Sequence, residues 1–153
     1  MIQVDRRTIA APLDAVFSLA ADVERWPERL AHYRWVRFLD KRPDGGLVEM
    51  AAWRDFGPLR WPTWWVSEMT IDRAAPAVRY RHVRGITRGM DVLWAFEPRA
   101  AGLEVTITHW WDGPRWPLLR APAASLVIGP VFVHAVAQRT LAGLARAAER
   151  GTA

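Results

Sequence analysis

An apolar stripe close to the C-terminus predicts the longest helix of the chain, from Pro130 to Arg150. Gly129 and Pro130 together favour a helix start, and Gly151 favours its end. Within this segment, apolar or small residues recur at steps of three and four, which places them on one helical face. The stripe consists of Phe132, Val133, Val136, Thr140, Leu141, Leu144 and Ala148.

The chain before about Pro122 is dominated by alternating patterns that predict strands. The first strand covers residues 2–9, and two short helices follow, one opening near Pro12 and one from Asp22 to near Trp26. Six consecutive strands come next, over residues 33–41, 47–56, 60–72, 77–84, 88–97 and 103–111. Turns rich in Gly and Pro join them, which is typical of an antiparallel meander. Because a sheet must bury its apolar face, the sequence predicts an α+β fold in which about seven curved strands wrap round the C-terminal helix.

Strand alternation also predicts which side chains face that helix. The last four strands contribute Trp65, Ser67, Met69 and Ile71; Val78, Tyr80 and His82; Met90, Val92, Trp94 and Phe96; and Leu103, Val105, Ile107, His109 and Trp111. An apolar wall with a few polar groups is the usual composition of a small-molecule site. Plain core packing with local hydrogen bonds is the alternative interpretation of the same residues.

Tryptophan is the anomaly of the composition, since the chain of 153 residues contains ten. A small domain needs only a few of these large side chains to fill its core. The surplus indicates a wide apolar cavity lined by indoles, or an apolar surface that meets a membrane. Packing in a Trp-rich core is the alternative, and it must account for some of the tryptophans. The formal net charge is +5, but the arginines are spread along the chain, so no nucleic-acid partner is predicted.

Several chemistries lack their sequence signals. The chain contains no Cys, which excludes thiol catalysis, disulfides and cysteine metal sites. The four histidines show no metal-ligand spacing and no Gly-rich phosphate loop occurs, so neither a metal nor a cofactor is predicted. Residues 1–6 do not form a signal peptide, and no apolar run approaches the ~20 residues of a membrane span, so a cytoplasmic protein is the expectation.

Three segments carry a family resemblance. Residues 9–27 run from a strand through Ala11-Pro12 and a helix to Asp22 and Trp26-Pro27. Residues 94–108 form a hairpin with a Gly turn, and residues 140–144 belong to the closing helix. Over essentially the whole chain, this order resembles the START-like helix-grip superfamily, which includes polyketide cyclases/dehydrases, coenzyme Q-binding proteins and pollen-allergen-like lipid carriers. The resemblance implies a single domain over residues 1–153 with an apolar cavity between the sheet and the long helix.

The first functional hypothesis is therefore a binding protein. It would hold a bulky hydrophobic or aromatic molecule, such as a polyketide, isoprenoid, quinone or lipid. The predicted ligand-binding residues are Trp26, Trp65, Ser67, Met69, Tyr80, His82, Val92, Trp94, His109, Trp111, Phe132, Val133 and Val136.

The second hypothesis is a polyketide cyclase/dehydrase-type enzyme. Its candidate general acids and bases in the same cavity are His109, His82 and Tyr80. Compared with the aromatase/cyclase branch of the superfamily, Met69 stands where that branch has an arginine, and Val136 stands where it has an asparagine. An arginine can stabilise an enolate whereas methionine and valine cannot, so we rank binding above catalysis.

Two further segments, residues 56–62 and 116–122, are rich in Trp, Leu, Pro and Arg. We expect them to fold over the cavity mouth as lids. The alternative is weak peripheral contact with a membrane, because apolar loops edged by arginine suit a bilayer interface. The sequence leaves the oligomeric state open.

Overall fold

In the computed structural model of this chain, a seven-stranded antiparallel sheet curves round a long C-terminal helix. The structure describes residues 1–113 and 131–151. The strands are β1 (Ile2–Ile9), β2 (Tyr33–Arg42), β3 (Gly45–Phe56), β4 (Leu59–Asp72), β5 (Ala77–Gly85), β6 (Asp91–Arg99) and β7 (Gly102–Trp110). The helices are α1 (Leu13–Ala21), α2 (Trp26–Arg29) and α3 (His134–Gly151). This arrangement confirms the predicted α+β helix-grip fold.

The strand order across the sheet is β1-β7-β6-β5-β4-β3-β2. Consecutive strands from β2 to β7 are neighbours, as a meander requires. Strand β1 instead pairs with β7, in a register that runs from Ile2 opposite Trp110 to Ile9 opposite Leu103. Strands β1 and β2 therefore lie on opposite edges, and the segment with α1 and α2 crosses between those edges.

Helix α3 covers the inner face of the sheet near β1 and also packs against α1. Leu141 and Leu144 are at most 1% exposed, and fully burying such a side chain contributes about 1.5–3 kcal/mol. Gly143 permits close approach of Leu30, since a Cβ at Gly143 would lie 2.1 Å from Leu30 Cδ2. Among the described residues, no helix is both long enough and apolar enough to cross a membrane.

The bounds of the short helices differ from the prediction. Residues Val23–Arg25 form only a 3₁₀ turn, and α2 begins at Trp26, where the sequence predicted an end. Pro27 has no N–H to leave unpaired, so it fits the first turn of α2. Asp22 makes no capping hydrogen bond; its carboxylate pairs instead with Arg29 at 3.5 Å.

The two segments predicted as apolar loops have different outcomes. Residues 56–62 are the tip of the β3–β4 hairpin, in which Phe56 pairs with Leu59. The strands therefore continue through this segment, because Gly57 adopts a φ of +58° and allows a two-residue turn. Residues 116–122 lie outside the described residues, as does Pro130 at the predicted start of the long helix.

The turn between β5 and β6 is longer than predicted, and β6 begins at Asp91 instead of Arg88. The backbone N–H of Arg88 donates to Gly85 O at 3.1 Å, and that of Gly89 donates to His82 O at 2.8 Å. These bonds fold the turn back over the end of β5. Gly85 and Gly89 have φ values of +95° and +90°, which favour glycine.

Replacing Gly85 by alanine is expected to destabilise the fold more than replacing Gly89. Both variants carry similar backbone strain, on the order of 1–3 kcal/mol. A Cβ at Gly85 would in addition lie 2.4 Å from Trp64 O and 2.8 Å from Trp65 Cα, whereas a Cβ at Gly89 meets nothing within 4 Å. Urea unfolding of the two variants measures the difference. Equal losses would show that the close approach of β4 does not constrain this turn.

Candidate functional site

A pocket lies between the inner face of the sheet and the beginning of α3. Strands β2 to β7 form one wall, Trp26 of α2 adds to it, and residues 132–140 provide the opposite side. The predicted ligand-binding residues that line the pocket are Trp26, Trp65, Tyr80, His82, Val92, Trp94, His109, Phe132, Val133 and Val136. Their contact with a ligand stays a prediction.

The pocket is small, with a volume of about 70 Å³. An engineered cavity of ~150 Å³ accommodates benzene, so this space is too narrow for a bulky molecule. Aromatic rings fill the surrounding region: ring centroids lie 5.7 Å apart for Trp26 and Trp94, 5.1 Å for Trp26 and Tyr33, and 6.4 Å for Tyr33 and Trp65. These tryptophans pack against other core residues and also line the pocket, and the wide cavity expected from their number is not present among the described residues.

Tyr80 and His109 belong to one cross-strand row on the inner face. Tyr80 pairs with Val92, and Val92 pairs with His109, so their backbones are separated by two strand spacings, about 10 Å. Tyr80 Oη and His109 Nδ1 are both buried and have no hydrogen-bond partner among the described residues. Because buried polar atoms are normally paired, these two atoms mark places where the structure can take up a polar partner.

His82 is held in place by the turn that follows β5. Its Nδ1 lies 2.6 Å from Thr87 Oγ1, and its backbone N–H donates to Met90 O at 2.9 Å. Its ring stacks on Trp65 with a centroid separation of 5.9 Å and an interplanar angle of 8°. The long turn therefore orients an imidazole on the pocket wall.

Burial keeps the titratable groups of the pocket uncharged at neutral pH. Burial, aided by the neighbouring His109, lowers the pKa of His82 to about 3. Burial also lowers the pKa of His109 to about 4, against an opposing effect of the Asp5 charge. For Tyr80, burial raises the pKa well above its usual value, and for Tyr33 burial raises the pKa to about 12. The pocket consequently offers neutral donors and acceptors to a ligand.

Thr140 is the polar residue that α3 contributes to the pocket wall. Its hydroxyl donates to Val136 O at 2.8 Å and lies 3.0 Å, within hydrogen-bond distance, from His32 Nε2. Val136 also lines the pocket, so the helix presents an apolar side chain where the aromatase/cyclase branch is expected to have an amide.

Three of the predicted ligand-binding residues are buried but do not line the pocket. They are Ser67, Met69 and Trp111. Ser67 and Met69 lie further along β4, and the indole N–H of Trp111 donates to Arg88 O at 3.1 Å. Alternation predicts the face of a strand but not the distance of a residue from a pocket.

The pocket wall also includes residues that the sequence did not single out as ligand contacts: Tyr33, Met50, Thr87, Met90, Ile107, Ala137 and Thr140. Met90 and Ile107 were already assigned to the inner face, and Thr140 belongs to the predicted helical stripe. Strand alternation therefore indicated Met90 and Ile107, and helical periodicity indicated Thr140. Thr87 lies in a turn, where no periodic pattern could indicate it.

Other tryptophans lie on the outer face of β2, β3 and β4. The Glu49 carboxylate accepts hydrogen bonds from the indole N–H groups of Trp35, at 3.1 Å, and Trp64, at 2.8 Å. The Arg34 guanidinium lies 4.5 Å from the ring centroid of Trp53. The surplus of tryptophan is therefore divided between the inner pocket and a polar network on the outer surface.

Comparison with known proteins identifies relatives of this chain. The model of the family described as polyketide cyclase / dehydrase and lipid transport matches residues 9–132. A protein of Streptomyces cyaneus assigned as a polyketide cyclase is 35% identical over 104 residues, which cover 67% of this chain and 65% of that protein. A second protein so assigned, from Streptomyces halstedii, is 34% identical over 96 residues, which cover 62% of this chain and 86% of that protein.

The fold is also shared with a solved structure. The Zhui aromatase/cyclase from Streptomyces sp. R1128 superimposes with a TM-score of 0.75 at 22% identity, covering 100% of this chain and 96% of that one. The family match includes β2 to β7 with all of the pocket residues that these strands carry. The chain therefore belongs to the polyketide cyclase/dehydrase and lipid transport family.

Proposed function

We propose that this protein binds a neutral, aromatic polyketide-type molecule between its sheet and α3. The observation that carries the proposal is the buried Tyr80 hydroxyl, which lines the pocket and has no hydrogen-bond partner among the described residues. Indole rings of Trp26, Trp65 and Trp94 form the surrounding wall. Flat rings stack favourably on such side chains, and a ketone oxygen would satisfy the hydroxyl.

The polar atoms help to rank the ligand classes. An isoprenoid or a fatty chain offers few acceptors, so the Tyr80 hydroxyl would remain buried and unpaired, at a cost of about 1–3 kcal/mol. A polyketide or a quinone carries carbonyl groups that can pair with it. A charged ligand is disfavoured because the pocket residues are neutral and an unpaired buried charge is costly.

The pocket must widen to accept such a molecule. Phe132 and Val133 precede α3 and form part of the side of the pocket that lies opposite the sheet. The Phe132 ring lies 4.6 Å from the Arg54 guanidinium carbon, so it is held by a cation–π contact on its other side. We infer that rearrangement of these two side chains opens the space, since strand pairing fixes the opposite wall.

Polyketide cyclase/dehydrase catalysis is the second candidate function. The observation that favours it is the row that joins Tyr80 and His109, in which a phenol and an imidazole, both neutral at pH 7, line the same wall of the pocket. Relatives assigned as polyketide cyclases add support. The proposed reaction class is proton transfer during ring closure or dehydration, with His109, His82 or Tyr80 as acid or base.

Replacing Tyr80 by phenylalanine is expected to weaken binding of a hydroxylated anthraquinone by about 2- to 13-fold, the value of one neutral hydrogen bond. The same change should raise the stability of the ligand-free protein by about 1 kcal/mol, because it removes a buried hydroxyl that has no partner among the described residues. Tryptophan quenching measures the affinity, and urea unfolding measures the stability.

Ser67→Ala is the matched control for this experiment. Ser67 Oγ is also buried without a partner among the described residues, but Ser67 does not line the pocket. The control should raise stability without changing affinity. If native protein shows no saturable quenching, or if both variants bind like the native protein, the proposed role of Tyr80 is wrong.

Stability is expected to fall as the pH is lowered from 7 to 5. The pKa values of His32, His82 and His109 are lowered by burial to about 4, 3 and 4. Below pH ~6.5 the unfolded chain binds protons that the folded chain excludes. Each histidine therefore lowers the free energy of unfolding by up to about 1.4 kcal/mol for each pH unit of acidification. Urea midpoints measured at half-unit steps test this. A flat profile over this range would contradict neutral burial of these residues.

Turnover by a cyclase mechanism should depend on His109. His109→Ala is expected to lower the rate of cyclisation of a linear polyketide thioester by at least about 100-fold, the usual contribution of a general acid or base. Binding of the anthraquinone should persist in this variant. Unchanged product formation, followed by chromatography, in the His109→Ala, His82→Ala and Tyr80→Phe variants would rule out the mechanism.

A further inference from the structure

Asp5 is a buried carboxylate on the inner face of β1, and only 1% of the residue is exposed. Its Oδ1 accepts a hydrogen bond from Gln138 Nε2 at 2.9 Å and another from His134 Nδ1, both on α3. Its Oδ2 is buried and has no hydrogen-bond partner among the described residues. Burial of a carboxylate oxygen without a partner is costly, so a hydrogen-bond donor close to Oδ2 would stabilise the fold.

The imidazole of His109 is close enough to supply a hydrogen-bond donor for Asp5 Oδ2. In the β1–β7 register, Gln3 lies opposite His109 and Asp5 lies opposite Ile107, so Asp5 and His109 are diagonal neighbours on the same face. Diagonal neighbours are about 7–8 Å apart at the backbone, within reach of longer side chains. The Nδ1 atom of His109 is itself buried and unpaired among the described residues. An ionised carboxylate can only accept hydrogen bonds, and an imidazole nitrogen that carries a proton can donate one to it.

We propose that Asp5 is a positioning residue that keeps the ring proton of His109 on Nδ1 and leaves Nε2 as the acceptor for a ligand. Neither Asp5 Oδ2 nor His109 Nδ1 has a direct hydrogen bond among the described residues, so one bridging water would join the carboxylate to Nδ1–H. The negative charge of Asp5 favours a ring proton on the nitrogen that faces it. His109 lines the pocket, so a ligand bound there could reach its Nε2. Only this assignment of Nε2 to a ligand rests on the proposed function.

The other neighbours of Asp5 explain why its free oxygen is available to His109. Gln138 and His134 both engage Oδ1 and thereby fix the rotation of the carboxylate. Gln3 Nε2 lies 3.5 Å from His134 Nδ1, so it joins the same cluster. The charge of Asp5 also acts on the His109 ring, since it opposes the lowering of the His109 pKa by burial.

The assignment narrows the class of ligand. With Nε2 as an acceptor and the Tyr80 hydroxyl as a donor in the same cross-strand row, the wall is complementary to a molecule with both a hydroxyl and a carbonyl group. A phenol or enol O–H would donate to His109, and a ketone oxygen would accept from Tyr80. A molecule that carries only carbonyl groups would leave His109 Nε2 unpaired.

The experiment is ¹⁵N NMR of the imidazole rings in the ligand-free protein at pH 7, with His109→Gln used to assign the resonances. Native His109 should show a protonated Nδ1 and an unprotonated Nε2. Asp5→Asn should shift the tautomer population toward Nε2–H, because an amide can donate to Nδ1. Ser67→Ala, which removes a buried hydroxyl of β4 and leaves Asp5 with both of its partners on α3, should leave the tautomer of His109 unchanged.

Protonation of His109 on Nε2 in the native protein would overturn the proposal. Because this measurement uses the native protein, it does not depend on whether a variant folds. An unchanged tautomer in folded Asp5→Asn would overturn it as well. Since the spectra require no ligand, they are independent of the proposed function. The predicted tautomer without anthraquinone binding would refute the function alone, and binding with the opposite tautomer would refute the positioning role alone.

Discussion

The burial of the sheet's inner face by α3 is the contact on which the rest of the structure depends. The helix packs near β1 and against α1, where Leu141, Leu144 and Ala148 are almost completely buried. Its first turns extend over the middle strands instead of packing tightly against them. The space there is bounded by large aromatic side chains, and the pocket forms between those rings and Val136. The position of the site thus follows from the placement of one helix on a curved sheet.

Burial also determines what chemistry this site can support. Desolvation lowers the pKa values of His82 and His109 and raises that of Tyr80, so the polar groups are neutral when the fold is intact. Atoms without a partner among the described residues, such as Tyr80 Oη, reduce stability, and natural proteins depart from full pairing chiefly at functional sites. The same atoms that weaken the empty fold are those that a polar ligand would satisfy.

The sequence predicted the face of most strand residues because an antiparallel sheet with one buried face shows clean alternation. On β7, Val105, Ile107 and His109 are buried as the pattern requires. The start of α2 at Trp26 was missed, since a Pro that suits a first helical turn equally suits a helix end. Alternation also carried no information on position along β4, so Ser67 was placed with Trp65 although only Trp65 lines the pocket.

Asp5 shows why other parts of the site could not be predicted. Its strand alternates weakly, and its partners on α3 are more than a hundred residues away in the sequence. Only the pairing of β1 with β7 and the packing of α3 against β1 bring these groups together. A buried carboxylate is recognisable from local sequence only when its partners are nearby, as on a helix at three- or four-residue spacing.

The distribution of polar groups also constrains any catalytic role. On α3, the Thr140 hydroxyl is already engaged by Val136 O and His32, so the helix has little to offer to a reacting group. Acid–base chemistry would have to come from the sheet, through the row that joins Tyr80 to His109. A histidine whose pKa is about 4 is a weak base, and the efficiency of a general base rises as its pKa approaches the working pH. Such a residue suits the removal of protons that the substrate itself makes acidic, as between two ketones, and is poorly suited to activating an ordinary alcohol or water.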